Sequence, residues 1–307
     1  MISLNATSYP GFDAASNVGP VDIGAVAVAL LFGCLIVQIY IYYSNFADDY
    51  RILKMLVFIV TLLELIHLGC AVATMWAVTV TAYGDPLRLA IWPPSAIAIV
   101  PVTVIIRILV QSYFTFRLWK LSNSMLLPIL CIVLSLIASG TGFAVGGTAS
   151  EMTNLASYYV TQHALIIVCW VIQATADATI TLGLVYCLRQ KRTLGLSRTS
   201  TAIDRLILWT VETGLASSTS AILVLICVSH DMSISKFLTL EHTYVWNALY
   251  ACFGSIYANA LLATLNSRLV MRKNQSEGVY KFENGFQLNP SKGNSTGTIL
   301  PSVVNDI

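Results

Sequence analysis

The chain has 307 residues, 56% of them hydrophobic and only 10% charged, with a net charge of +2 and a mean hydropathy of +0.74. A soluble domain would carry about 25% charged residues, so this composition excludes an ordinary water-soluble fold, and the near-neutral balance gives no footing for nucleic acid. What remains is a chain that is mostly bilayer-spanning.

In chain order, residues 1–19 show no basic segment ahead of an apolar core, so no cleaved signal is expected and the first span serves as anchor. Asn5-Ala6-Thr7 is a glycosylation sequon in this segment. Seven apolar runs follow, at 20–43, 52–81, 91–119, 125–147, 158–188, 203–230 and 243–267. Each reaches the roughly 20 residues a spanning helix needs, and none alternates as a barrel strand would. The expected fold is all-α: a seven-transmembrane-helix bundle over 20–267, a lumenal or extracellular segment 1–19, and a polar, disordered cytoplasmic tail 268–307. Pro93, Pro94 and Pro101 fall early in the third run, where they kink it or open its end.

Charge fixes the expected orientation. Of 17 Lys and Arg, 14 flank or join the ends that follow runs 1, 3, 5 and 7, among them the basic loop 189–205; Arg88 and Lys236 lie opposite, and Arg107 is inside run 3. The positive-inside rule then puts the N-terminus outside and the C-terminus in the cytoplasm. Aromatic groups at run ends (Tyr40, Tyr42, Tyr43, Phe46; Tyr113, Phe114, Phe116, Trp119; Tyr244, Trp246, Tyr250) suit interface belts. All seven cysteines fall within runs, so no disulfide framework is expected. Gly142-x-x-x-Gly146, Gly214 with Ser218, and the four-residue series Ala251, Ser255, Asn259, Ala263 are packing surfaces.

Ionisable groups deep in a span cost at least ~2.5–3.5 kcal/mol on insertion scales and therefore mark candidate sites. Glu64, His67, Arg107, Asp177 and Glu212 lie about 14–22 Å from the cytoplasmic ends of their runs, close to one level, with Asn259 at similar depth. Glu64 and His67 share a helix face, and Gln173, Asp177 and Thr181 form a stripe. This polar layer reads either as a lock that fixes helix register or as a ligand or proton site. Arg107 is expected to point inward and meet at least one of Glu64, Asp177 or Glu212, directly or through water. A second group, His163, His230 and His242, gathers at the opposite face; its spacing carries no metal-ligand signature, and ordinary interface histidines explain it.

The segment from about 170 to 268 resembles a fungal family, abundant in basidiomycetes, of multi-span membrane proteins of unknown function. The likeness rests on Asp177, on RTLGLSRTSTAIDRLILWTVETGLASS (192–218) and on YANALLATLNSR (257–268). LLELIH (62–67) and FTFRLWKLS (114–122) match more loosely. LASS after Thr213-Gly214 departs from the family's more frequent Leu-Thr-Ser. The resemblance implies a seven-helix membrane protein and no substrate.

The expected function is receptor- or sensor-like, with the bilayer, a small-molecule ligand and a cytoplasmic signalling partner at loop 189–205 as partners, in the plasma membrane or an endomembrane. The alternative is a transporter or channel for small solutes or protons. No Asp/Glu-Arg-Tyr triplet ends run 3, no Asn-Pro-x-x-Tyr lies in run 7, and no lysine in runs 6 or 7 offers a retinal Schiff base. No Gly-x-Ser-x-Gly is present and only His67 is a deep metal-ligand histidine, so no enzyme, metal or cofactor is expected.

Overall fold

The computed structural model describes residues 14–193, apart from 84–87, 89–90, 123 and 152–154, together with 219 and 248–269. The described residues are all-helical with no strand: α1 Ala14–Asn45, α2 Arg51–Trp76 extended by a π-helical turn Ala77–Thr81, α3 Pro94–Leu121, α4 Leu126–Glu151 and α5 Leu155–Thr193. A further helix, α6, spans Ala248–Leu269. All six are long and apolar enough to cross a membrane. The predicted run at 203–230 lies outside the described residues, as do Asn5, Glu212, His230, His242 and the tail beyond 269.

The ends of these helices follow from local chemistry. Pro94 occupies the first turn of α3, and Pro93 precedes it in extended conformation; a proline there loses no helical hydrogen bond and presets φ. That places the start at 94, three residues later than hydropathy alone suggests. The π turn closes with Ala82 N–H donating to Ala77 O at 3.0 Å.

α3 and α6 are the most enclosed spans, with 50% and 56% of their central windows buried against 22–33% for the others. They form the axis, and the remaining helices turn large apolar side chains such as Leu30, Phe58, Leu62 and Leu182 outward, as lipid contact requires. Phe253, Tyr257, Leu261 and Leu265 of α6 join Ile106 and Val110 of α3 in the principal core. At the far end of α3, Leu118 and Leu121 pack with Cys131 of α4 and Ile180, Leu184 and Leu188 of α5. The six described cysteines are free thiols.

Glycines set the closest approaches. A Cβ at Gly142 would sit 2.8 Å from Val104 Cγ2, and one at Gly146 would sit 3.1 Å from Val100 Cγ1, so α4 lies against α3 there. Gly24 meets Ala248 in the same way, at 2.9 Å.

The aromatic belt is a partial one. Tyr40 and Trp119 are exposed, but Tyr42 and Phe46 are buried. The reason is a polar clamp. Arg268 at the end of α6 grips Asp49, in the α1–α2 connection, through Nη2–Oδ2 at 2.6 Å and Nη1–Oδ1 at 3.1 Å. The Tyr42 hydroxyl donates to Asp49 Oδ2 at 2.9 Å, and the guanidinium lies 4.6 Å over the Phe46 ring. Burial alone would raise the Asp49 carboxyl, but the hydrogen bonds from Arg268 and Tyr42 outweigh it and hold it below its usual range. An acid depressed in this way stabilises the fold above its unfolded value of about 3.9, and that contribution disappears as pH falls through the lowered value. Asp49→Asn is expected to cost about 2 kcal/mol and to flatten the acid limb of thermal stability. Melting curves of the purified protein between pH 3 and 7 check both; an unchanged acid limb would contradict the clamp.

Candidate functional site

Among the described residues the polar layer divides into two clusters, with Arg107 apart from both. Gln173 and Asp177, one turn apart on α5, share a face with Gln111 of α3 and Tyr257 of α6. Asp177 Oδ1 accepts from Gln111 Nε2 at 2.8 Å. Its Oδ2 accepts from Gln173 Nε2 at 3.1 Å and from the Tyr257 hydroxyl. Gln173 Nε2 also donates to the Tyr257 oxygen at 2.8 Å. Three helices thus meet at one carboxyl group that is 6% exposed. A carboxyl buried at this depth needs such donors, because water is absent to supply them.

The second cluster joins α2 to α6. Glu64 and His67 are fully buried. Glu64 Oε2 accepts from Ser255 Oγ at 2.8 Å. Glu64 Oε1 and both ring nitrogens of His67 have no hydrogen-bond partner. Gly254 makes room for them: a Cβ there would lie 3.3 Å from Glu64 Oε1 and 3.4 Å from His67 Nε2. Asn259 belongs to neither cluster. Its Nδ2 donates to Leu31 O at 3.0 Å and to Ser255 O at 2.7 Å, and its Oδ1 accepts from Gln38 at 2.9 Å. It ties α6 to α1.

Arg107 points inward, at 6% exposure, but it bonds to neither Glu64 nor Asp177. Its Nη2 donates to the Ala138 carbonyl of α4 at 2.8 Å. Neither described acid pairs with it directly; Glu212, the third expected partner, lies outside the described residues. The cause is steric access. Gly142, one turn beyond Ala138, has no side chain to shield that carbonyl, and its absent Cβ would lie 3.4 Å from Nη2. A nearby helix carbonyl offers a shorter route to satisfaction than a carboxylate already filled by three donors. Arg107 Nε has no partner.

Beside Arg107 is a cavity of about 40 Å3, enough for a few waters. Its described lining combines Arg107 and Gln173 with the aromatic walls Trp92, Tyr158, Trp170 and Tyr250, closed by Val100, Gly142, Val145, Ile166 and Cys169. Arg107 and Gln173 supply its polar side, and among the described residues Arg107 Nε and Gln173 Oε1 find no hydrogen-bond partner. Every described lining residue lies between the Arg107–Asp177 level and the end at which α3, α5 and α6 begin.

Sequence reading named Glu64, His67, Arg107, Gln173, Asp177 and Asn259, and the structure brings Gln173 to Asp177 and sets Glu64 and His67 together at Gly254. It missed Gln111, Tyr257 and Gly254 as site residues and took Ser255 for packing alone. Gln111 had a signal, lying one turn beyond Arg107 on the same helix. Tyr257 and Gly254 had none, since an aromatic and a glycine are ordinary in a span. His163 lies on α5, with its side chain outside the description. Among the described residues no three His, Cys, Asp or Glu side chains gather as a metal site requires.

Residues 173–270 match the model of a family of unknown function, DUF6534. No curated protein and no solved structure matches the chain. The matched segment opens on Gln173 and contains Asp177, Gly254, Ser255, Tyr257, Asn259 and the clamp residue Arg268.

Gly142→Val is expected to push α4 from α3, withdraw the Ala138 carbonyl from Arg107 and cost about 3 kcal/mol. Gly147→Val on the same helix, where a Cβ meets nothing within 4 Å, is expected to be near neutral. Melting temperatures of the two variants check this, and equal losses would contradict it.

Proposed function

We propose that the chain is a seven-helix, receptor- or sensor-like membrane protein, with its N-terminus outside and its C-terminus cytoplasmic, that binds a small molecule rather than transforming one. Helix direction supports the seventh span. α5 and α6 run parallel, since Trp170 meets Tyr250 and Phe253 edge to face while Gln173, further along, meets Tyr257. α1 and α6 are parallel too: Gly24 faces Ala248, Leu31 meets Asn259 and Gln38 meets Asn266. Two consecutive described helices that cross in the same direction require the chain to cross back between them, and the apolar run at 203–230 is the segment that suits this. The 14-to-2 charge split supports the orientation. An expressed full-length chain glycosylated at Asn5, with a C-terminal tag open to protease in sealed vesicles whose cytoplasmic face is outward, is the expected topology result. A shielded tag would contradict it.

The observation that carries the functional reading is the one-sided cavity. In the proposed orientation it occupies the outer half, and Arg107 and Gln173 offer a donor and an acceptor at its floor. A pocket that stops at a polar floor suits binding from one side; passage of a solute would need lining residues on both sides of it. A space of about 40 Å3 suits a carboxylate or carboxamide of only a few heavy atoms, its head at Arg107 and Gln173. Small-solute or proton-coupled transport is the second reading, and Glu64 Oε1 and the His67 ring, without partners among the described residues at Gly254, favour it. A panel of small monocarboxylates and carboxamides, screened by thermal shift on the purified protein, separates the two. A binder at 100 times its Kd is expected to stabilise by about 2.7 kcal/mol, and Gln173→Leu is expected to abolish that gain. Uptake of the binder or of protons into proteoliposomes would favour transport instead.

A further inference from the structure

A second cavity lies on the opposite side of Arg107, between the far halves of α3 and α4. It is a cleft of about 500 Å3 and shares no described lining residue with the Arg107 cavity. The size falls within the ~300–1,000 Å3 usual for small-molecule sites. Its origin is the uneven spacing of small residues on α4. Gly142 and Gly146 hold α4 against Val104 and Val100 of α3, whereas the other half of α4 presents Ile129, Ile132 and Leu136, with Met125 just ahead of the helix, to the same groove. The helices part there. The rim is lipid-facing: Phe116, Trp119, Ile132 and Leu136 are all close to half exposed or more.

The floor of this cleft is polar. Gln111 is 2% exposed and gives its Nε2 to Asp177, but its Oε1 has no partner. The register that sets Arg107 against Ala138 puts Gln111, one turn on, level with Ser135, one turn back. Ser135 Oγ is likewise buried without a partner, and both residues line the cleft. One acceptor and one hydroxyl therefore lie unpartnered in the wall of the cleft, on residues that line it. Each such atom costs about 1–3 kcal/mol while unpaired.

We propose that this cleft binds a membrane-dissolved alcohol, whose hydroxyl donates to Gln111 Oε1 and accepts from Ser135 Oγ while its apolar body lies along the rim. Depth selects the class. Gln111 is ten residues from the end of α3 at Leu121, roughly 15 Å along the axis. A phospholipid headgroup or a charged amphiphile cannot be drawn that far below the interface at tolerable cost. A single hydroxyl can, because the two waiting partners replace the hydrogen bonds it gives up. Through Gln111 the occupant also touches the Asp177 cluster, to which Gln173 at the floor of the other cavity also belongs. The proposal does not rest on the receptor reading.

The test is photolabelling of the full-length protein in detergent and in nanodiscs with 1-hexadecanol carrying a diazirine and a terminal alkyne, followed by peptide mapping. The expected result is label concentrated on 108–139, suppressed by excess 1-hexadecanol. The hexadecyl methyl ether, which cannot donate to Gln111, is expected to compete about tenfold less well. Ile132→Trp fills the cleft from the lipid side without touching Gln111 and is expected to remove the label while leaving the melting curve intact; Gln111→Leu is expected to erase the preference for alcohol over ether. Cholesterol as competitor distinguishes the body: suppression equal to hexadecanol means that the hydroxyl alone is read, and weaker suppression means that a linear chain is preferred; both support the site. Equal competition by alcohol and ether, or label spread evenly over all lipid-facing helices, would overturn it.

Discussion

A carboxyl group with no water available must find its donors within the protein, and the placement of Asp177 follows from that constraint. In a bilayer each unmet polar group costs free energy comparable to several packing contacts. Asp177 draws one donor from α3, one from its own helix and one from α6. These bonds fix the register of the two most enclosed helices against α5, and only one relative rotation and depth of the three satisfies them. Apolar packing then fills in around that choice, since Ile106, Val110, Leu261 and Leu265 are non-directional and would accept neighbouring registers equally well. The Asp49–Arg268 clamp plays a similar part at the end of the bundle, where α6 is fastened to the α1–α2 connection.

The same constraint explains why the polar layer separates into distinct environments. Asp177 is saturated with donors. Glu64 has one from Ser255 and otherwise faces His67 across the gap left by Gly254. Arg107 turns to a backbone carbonyl because a glycine on α4 uncovers it. Groups at one depth therefore differ in what they still lack. Asp177 holds helices together, while Arg107, Gln173 and Gln111, which line cavities, each retain one atom with no partner among the described residues.

Much of this was legible in the sequence. The length of the apolar runs gave the six described helices to within a few residues, because the bilayer's thickness dictates span length whatever the tertiary contacts. The depth of Glu64, Arg107 and Asp177 could be read from run boundaries by simple rise per residue. Partner choice could not. Arg107 with three acids in reach by depth looks like an ion pair; among the described residues the group it donates to is the main-chain carbonyl of Ala138, and main-chain groups have no letter in the sequence. Tyr42 and Phe46 looked like belt residues, since nothing local reveals that Arg268, more than two hundred residues away, packs on them. Cavities were equally invisible, because they arise from how closely α3 and α4 approach along their length.

The central claim is that Asp177 and its donors couple α3, α5 and α6 as one unit. A double-mutant cycle on Gln111→Leu and Asp177→Leu, read by equilibrium unfolding of the purified protein in detergent, tests it most directly. The account predicts that the two losses fall short of adding by about 1–3 kcal/mol, because removing either partner already strands the other. Losses that add within about 0.5 kcal/mol would contradict it, leaving Asp177 as a buried acid that happens to lie beside a glutamine.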